Sequence, residues 1–375
     1  MKLTETMAEI AERAILSAAL LATALPISAA ECVWTGPSGN WGDASGWNGG
    51  VKPSAAGDTV KIAGDGVTVT VTDSDIANFQ LVTAIAVESA DSRIVVDTEG
   101  DVTSPAEFSG SGKLVKMGTS ELFLSYPGVA NSTYGPVGRI GELVISNGVV
   151  RMPDRTSATG LSNSLPRLSV WKPGILSLGN TPYTYCPWGI RGDGTITNAN
   201  SGCQLCSTCF GIADDIPVFS GKLEPNVQFT ISRHDNTHVP AVQYMSGDGS
   251  DRDISLRLDG VVGITKFGMI GGRSPLGSKS DIQLRSYSSK IICLGNVPEE
   301  TDRNIGYNCA LGTVDAGAYG GVTFRGQWFI SAYSGWGDGN WKCNTVCLTG
   351  SNTVPCVVAC GMYDREDRAA TYWRK

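Results

Sequence analysis

Three cysteines stand three apart in CQLCSTC, at Cys203, Cys206 and Cys209, and the chain's 2 histidines stand four apart in HDNTH, at His234 and His238. Thiolate pairs at C-x-x-C spacing hold Zn²⁺ or cycle as a redox pair. Joined to the histidines they give C-x2-C-x27-H-x3-H, whereas a zinc finger wants about 12–15 residues between its halves. The redox reading lacks the strand–helix context. In an exported chain the simpler reading is disulfides. The 11 cysteines are 32, 186, 203, 206, 209, 293, 309, 343, 347, 356 and 360. An odd number leaves at least one free or intermolecular. Cys343-x3-Cys347 and Cys356-x3-Cys360 read as staples near the C-terminal end.

Carboxylates test for an enzyme. A glycosidase needs two of them about 5–10 Å apart, and Asp214-Asp215 is the adjacent Asp pair of the central region. GDGSDRD (247–253) offers Asp248, Asp251 and Asp253 to Ca²⁺, although Asp/Gly turn chemistry explains it equally well. No Ser-His-Asp arrangement is legible, nor a Walker-type glycine loop. RGD at 191–193 matches an adhesion tripeptide but reads as a corner. The expectation is no cofactor, no metal and no catalytic residue. Tryptophan is the remaining chemistry: Trp34, Trp41 and Trp47 crowd one end, and Trp336 and Trp341 the other. Such rings can stack on sugars and are the candidate ligand-binding residues. The alternative is an aromatic lid closing the two ends of the fold.

The elements that must position these residues are short strands. Glycine is 47 of 375 residues and charged residues are 17%, a composition of many turns rather than long helices. The 41% hydrophobic content is enough for a core. Apolar markers recur at Leu114, Leu143, Leu168, Ile196, Leu223, Leu256 and Leu284, in steps of 25–33 residues. A second strand follows each of several markers, at Leu122, Val149, Ile175, Val262 and Ile291. That period predicts an all-β fold: a parallel β-helix, or β-solenoid, with each strand pairing its equivalents one coil up and down. A β-sandwich is the alternative.

Residues 108–152 (FSGSGKLVKMGTSELFLSYPGVANSTYGPVGRIGELVISNGVVRM) resemble the autotransporter-associated β-strand repeat, also called the passenger-associated transport repeat. The match runs through Gly110, Gly112, Leu114, Lys116, Gly118, Leu122, Leu124 and Ser125, then Tyr134, Gly135, Ile140, Gly141 and Leu143. It departs at Ser120, Glu121 and Tyr126. GDGTITN (192–198) with FSGKL (219–223) resembles the lead-in of another copy. Residues 33–62 resemble a module that often opens secreted proteins bearing these repeats. The resemblance implies a right-handed β-helix, passenger-like, at or beyond the cell surface. A C-terminal β-barrel follows in true autotransporters; the ending CGMYDREDRAATYWRK has no run of alternating strands. Export by other means, a holding partner, or a fragment is expected instead.

Ala14–Ala24 is an apolar run ended by Pro26, with Ser28-Ala29-Ala30 offering small residues for cleavage before Glu31. It is shorter than the roughly 20 residues of a membrane span, and no later segment is a candidate. The predicted organisation is a signal-peptide helix (1–30), an N-terminal Trp/Gly-rich capping module (31–107), the repeat region (108–330) and a Cys-rich cap (331–375). Net charge is −7, without the basic cluster that follows a nucleic-acid backbone. The functional expectation is an exported, non-enzymatic scaffold, adhesin-like, secreted or at the cell surface, with glycan or cell-surface components as partners. A polysaccharide lyase or glycosidase on the same fold is the alternative. A passenger fragment that assists export, with no ligand of its own, is the third reading.

Overall fold

The computed structural model describes residues 29–125, 136–154, 163–180, 183–186, 188–198, 203–207, 216–224, 227–231, 242–246, 256–258, 261–264, 281–295, 299–315, 322–325, 328–330, 345–349, 356–358 and 362–364. Within them the chain is a parallel β-solenoid. Every ladder between named strands is parallel, because each strand pairs with its counterpart one coil away, not with its neighbour in sequence. Among the described residues the α-helix is one turn, Ile76–Phe79, which delivers Phe79 to the core.

Each coil presents up to three strands, which stack into three columns. The first column opens Glu31–Trp34, Thr59–Ile62, Ala84–Val87 and enters the start of Glu107–Met117. The middle column runs Gly39–Asn40, Thr68–Val71, Arg93–Asp97, the end of Glu107–Met117, Arg139–Ile145, Arg167–Val170 and Ile190–Arg191. The third runs Val102–Ser104, Glu121–Leu124, Val149–Arg151, Ile175–Ser177, Thr195–Thr197 and Lys222–Leu223. Residues 31–107 are therefore rungs of the same ladder as the repeat that follows them.

Alternation along each strand sends every second side chain inward. The middle column stacks Ile94, Leu114, Leu143, Leu168 and Ile190 in register, and all five are fully buried. The third stacks Leu122, Val150, Leu176, Ile196 and Leu223, likewise buried. These rows belong to one continuous core.

The periodic markers need three corrections. Leu114, Leu143 and Leu168 share a row, but the next residue in it is Ile190; Ile196 and Leu223 lie in the third column. Val149 and Ile175 are also one residue off the buried face, which is carried by Val150 and Leu176. Leu256 pairs with Ile282, and Leu284 with Leu258, so that step is offset by two. Ile190–Arg191 is two residues long, and its backbone is satisfied from further down the solenoid. The buried Gln243 amide accepts from Ile190 N–H at 3.0 Å and donates to the Ile190 and Pro217 carbonyls, each at 3.0 Å.

Candidate functional site

The three N-terminal tryptophans are core, not surface. Trp34, Trp41 and Trp47 are 1%, 0% and 2% exposed. Trp47 meets Trp34 and Trp41 edge-on, each at 5.1 Å, and Trp41 meets Phe79 at 5.3 Å. The Trp34 indole donates to the Gly36 and Pro37 carbonyls, and the Trp47 indole to the Trp41 carbonyl. Edge-to-face packing of this kind fills the first coils and leaves no ring face for a sugar. Trp336 and Trp341 lie outside the described residues, as do Cys209, His234, His238, Asp214, Asp215 and residues 247–253.

Among the described residues no disulfide is present; Cys32 is a buried free thiol, pushed above its ordinary value by burial and by the nearby Asp58. Cys186 and Cys293 are buried as well. The side chains of Cys309 and of the 203–209 and 343–360 cysteines are not among those described. No group of three metal-ligating side chains occurs among the described residues, and no described helix is long and apolar enough to cross a membrane.

Carboxylates are spent on corners and coil-to-coil ion pairs. Burial pushes the Asp58 carboxyl up, but N–H groups of Ala30, Ala55 and Ser54, each at 2.9 Å, hold it below its ordinary value. Asp73 accepts from Glu99 and Gly100, Asp101 from Glu121, Asp154 from Asn180, and Asp193 from Lys172, each one coil away. Lys61–Glu88, Arg139–Glu107 and Arg151–Glu121 bridge adjacent coils. Asp58 and Asp73, each held by two or three backbone donors, have the geometry of caps.

The outer face of the middle column carries a continuous row of polar and charged side chains. Register places Thr68, Arg93, Lys113, Glu142 and Arg167 in one row, one residue per coil. Arg93 Nε donates to Thr68 Oγ1, Lys113 Nζ meets Glu142 Oε2 at 2.9 Å, and Ser169 Oγ donates to Glu142 Oε1 at 2.8 Å. The Arg167 guanidinium lies 5.9 Å from the centre of the Trp188 ring, within cation–π range. A second outward row holds Val95, Val115, Val144, Ser169 and Arg191. Val95 and Val115 are recessed, yet stand outside the main core cluster.

Two tryptophans flank this face. Trp171, 47% exposed, leaves the end of Arg167–Val170; Trp188, 41% exposed, precedes Ile190–Arg191 in the next coil. Since Leu168 pairs with Ile190, the two rings stand at opposite ends of one strand pair, about five residues or roughly 16 Å apart. Reasoning on tryptophan clusters overlooked both. The signal was available in W-K-P-G (171–174) and C-P-W-G (186–189), where turn residues suspend the alternation that would bury a ring.

No family model matches the chain, and no curated protein or solved structure matches it. The fold and this face therefore stand on the chain's own residues.

Proposed function

We propose that the protein is an exported, non-enzymatic β-solenoid, a cell-surface or extracellular scaffold that binds a glycan on the outer face of its middle column. The observation that carries this reading is the pair of half-exposed rings, Trp171 and Trp188, set at either end of one strand pair with Arg167 and Arg191 on the strands between them. A half-exposed amphipathic ring is the side chain suited to the C–H face of a sugar. A stiff stack of parallel coils keeps the two rings at fixed spacing, so little ordering is needed on binding. The apolar run Ala14–Ala24 before Ser28-Ala29-Ala30 supports export. Corner duty of the described carboxylates supports the non-enzymatic reading. The resemblance of residues 108–152 to the passenger-associated transport repeat supports a surface location.

A glycan array probed with the mature chain and with a Trp171→Ala/Trp188→Ala double variant tests this. The expected result is binding to a subset of glycans by the parent and its loss in the variant, with β-rich circular dichroism unchanged in both. Silence of the parent across the array would leave a bare scaffold.

The charged row Arg93–Lys113–Glu142–Arg167 favours a second reading, a polysaccharide-active enzyme, because cleavage of a sugar chain needs ionisable groups converging on one face. Release of new reducing or unsaturated ends from a bound polysaccharide would select it over the scaffold.

A further inference from the structure

The glycan reading leaves the ligand's chemistry open, and the charge pattern of the same face narrows it. The chain as a whole carries a net charge of −7. On the outward strand positions of this face the balance reverses: Arg93, Lys113, Arg167 and Arg191 stand against Asp97 and Glu142. The cations are also ordered. Arg93, Lys113 and Arg167 occupy one outward row at consecutive or next-but-one coils, and coils repeat every 4.7–4.9 Å or so along the axis. That spacing is close to the length of one sugar ring, so a linear polymer laid along the axis meets the row roughly one sugar per coil.

Glu142 shows what the row accepts. It stands between Lys113 and Arg167, with one carboxylate oxygen on Lys113 Nζ at 2.9 Å and the other receiving Ser169 Oγ at 2.8 Å. The protein's own side chain thus seats a carboxylate at the position a ligand's carboxylate would take. Arg167 lies over Trp188, which ends the row with a stacking platform.

We propose that the ligand is an acidic, uronate-bearing polysaccharide lying along the solenoid axis, its carboxylates on Arg93, Lys113 and Arg167 and a sugar ring on Trp188. This rests on the glycan-binding reading and specifies its substrate class; Trp188 is the ring the two share, and Trp171, about five residues along the strand, stands outside the axial row. Glu142 then acts as an internal competitor for Lys113, so its neutralisation strengthens binding.

The test is calorimetric titration of the full chain with polygalacturonate, neutral dextran and a sulfated dextran, at low and high salt. Polygalacturonate is expected to bind best, and to weaken as salt screens the exposed charges. Arg93→Gln and Arg167→Gln should each weaken it about tenfold, the size of a lost charged hydrogen bond. Glu142→Gln should tighten it by up to about fivefold, the worth of a surface ion pair. Arg93 lies on the outer surface, and Glu142→Gln is an isosteric change, so circular dichroism is expected to be unchanged. Equal binding of dextran, insensitive to salt and to both arginine variants but lost in Trp188→Ala, would overturn the acidic assignment while sparing the glycan reading. Preference for the sulfated polymer would overturn the uronate assignment. Binding of none of the three by a folded chain would overturn both.

Discussion

Lys116 occupies a place meant for an aliphatic side chain. It shares an inward row with Val71, Val96, Ile145 and Val170, and it is fully buried. Parity with Leu114 already places it inward in the sequence, where it matches a position of the repeat motif. What the sequence does not show is how the ammonium is accommodated. Lys116 lies near the end of its strand, Glu107–Met117, and its Nζ reaches out to the carbonyls of Met117 and Gly118 at the corner. Burial pushes its pKa below the ordinary 10.5, and the pull of Asp97, Asp101 and Asp73 opposes this only in part. A cation whose folded value is depressed holds fewer protons folded than unfolded as pH rises from that value to 10.5. Stability therefore rises with pH across this window, and below it the folded state bears the full penalty. Lys116→Met is expected to abolish that alkaline increment. Urea melts of both proteins at neutral pH and near pH 10.5 check it; parallel pH dependences would show that the ammonium is not desolvated.

At the scale of the element, corners rather than strands decide where the chain turns. The strands were legible because apolar alternation and glycine punctuation recur along the sequence. Column identity was only partly so. Leu168 to Ile190 is a short coil, and Ile196 is as good an apolar residue as Ile190, so period alone moved the marker into the wrong column. Inward rows of the three columns are chemically alike, and only the register of the corners tells them apart. The functional face was less legible still. Its row of Arg93, Lys113, Glu142 and Arg167 consists of residues 20–29 apart in sequence that meet only through inter-coil register. The importance of corners can be measured with two glycines of nearly equal φ, Gly66 at +65° and Gly118 at +68°. A Cβ at Gly66 meets nothing within 4 Å, whereas one at Gly118 would stand 2.3 Å from the Thr98 carbonyl oxygen of the coil above. Gly66→Ala is expected to cost about 1 kcal/mol, the left-handed penalty alone. Gly118→Ala should cost at least about 2 kcal/mol more, since backbone cannot give way as a side-chain tip can. Equal losses in thermal melts would mean that coil-to-coil contact at the corner is not tight.

At the scale of the whole molecule, a solenoid is a one-dimensional object in which each coil touches mainly the next. The core is continuous from the N-terminal tryptophans to Phe324, yet a given row residue meets its partners one coil away on either side. Leu143 is fully buried between Leu114 and Leu168. Leu143→Ala should destabilise by about 2–5 kcal/mol through lost burial and the cavity left behind. In a globular core that loss would be shared by all elements. Here it should fall on the adjoining coils, because the interface terms it weakens are those to Glu107–Met117 and Arg167–Val170. Hydrogen exchange read by mass spectrometry is expected to show faster opening across residues 107–177. Thr59–Ile62, separated by further coils and buttressed by the Trp34–Trp41–Trp47 cluster, should keep its protection. Uniform acceleration along the chain would show that the coils fold as one cooperative unit. Local acceleration would have a consequence for binding: the face that carries Glu142, Arg167 and Trp188 would loosen while the N-terminal coils held, so ligand affinity would fall before the fold did.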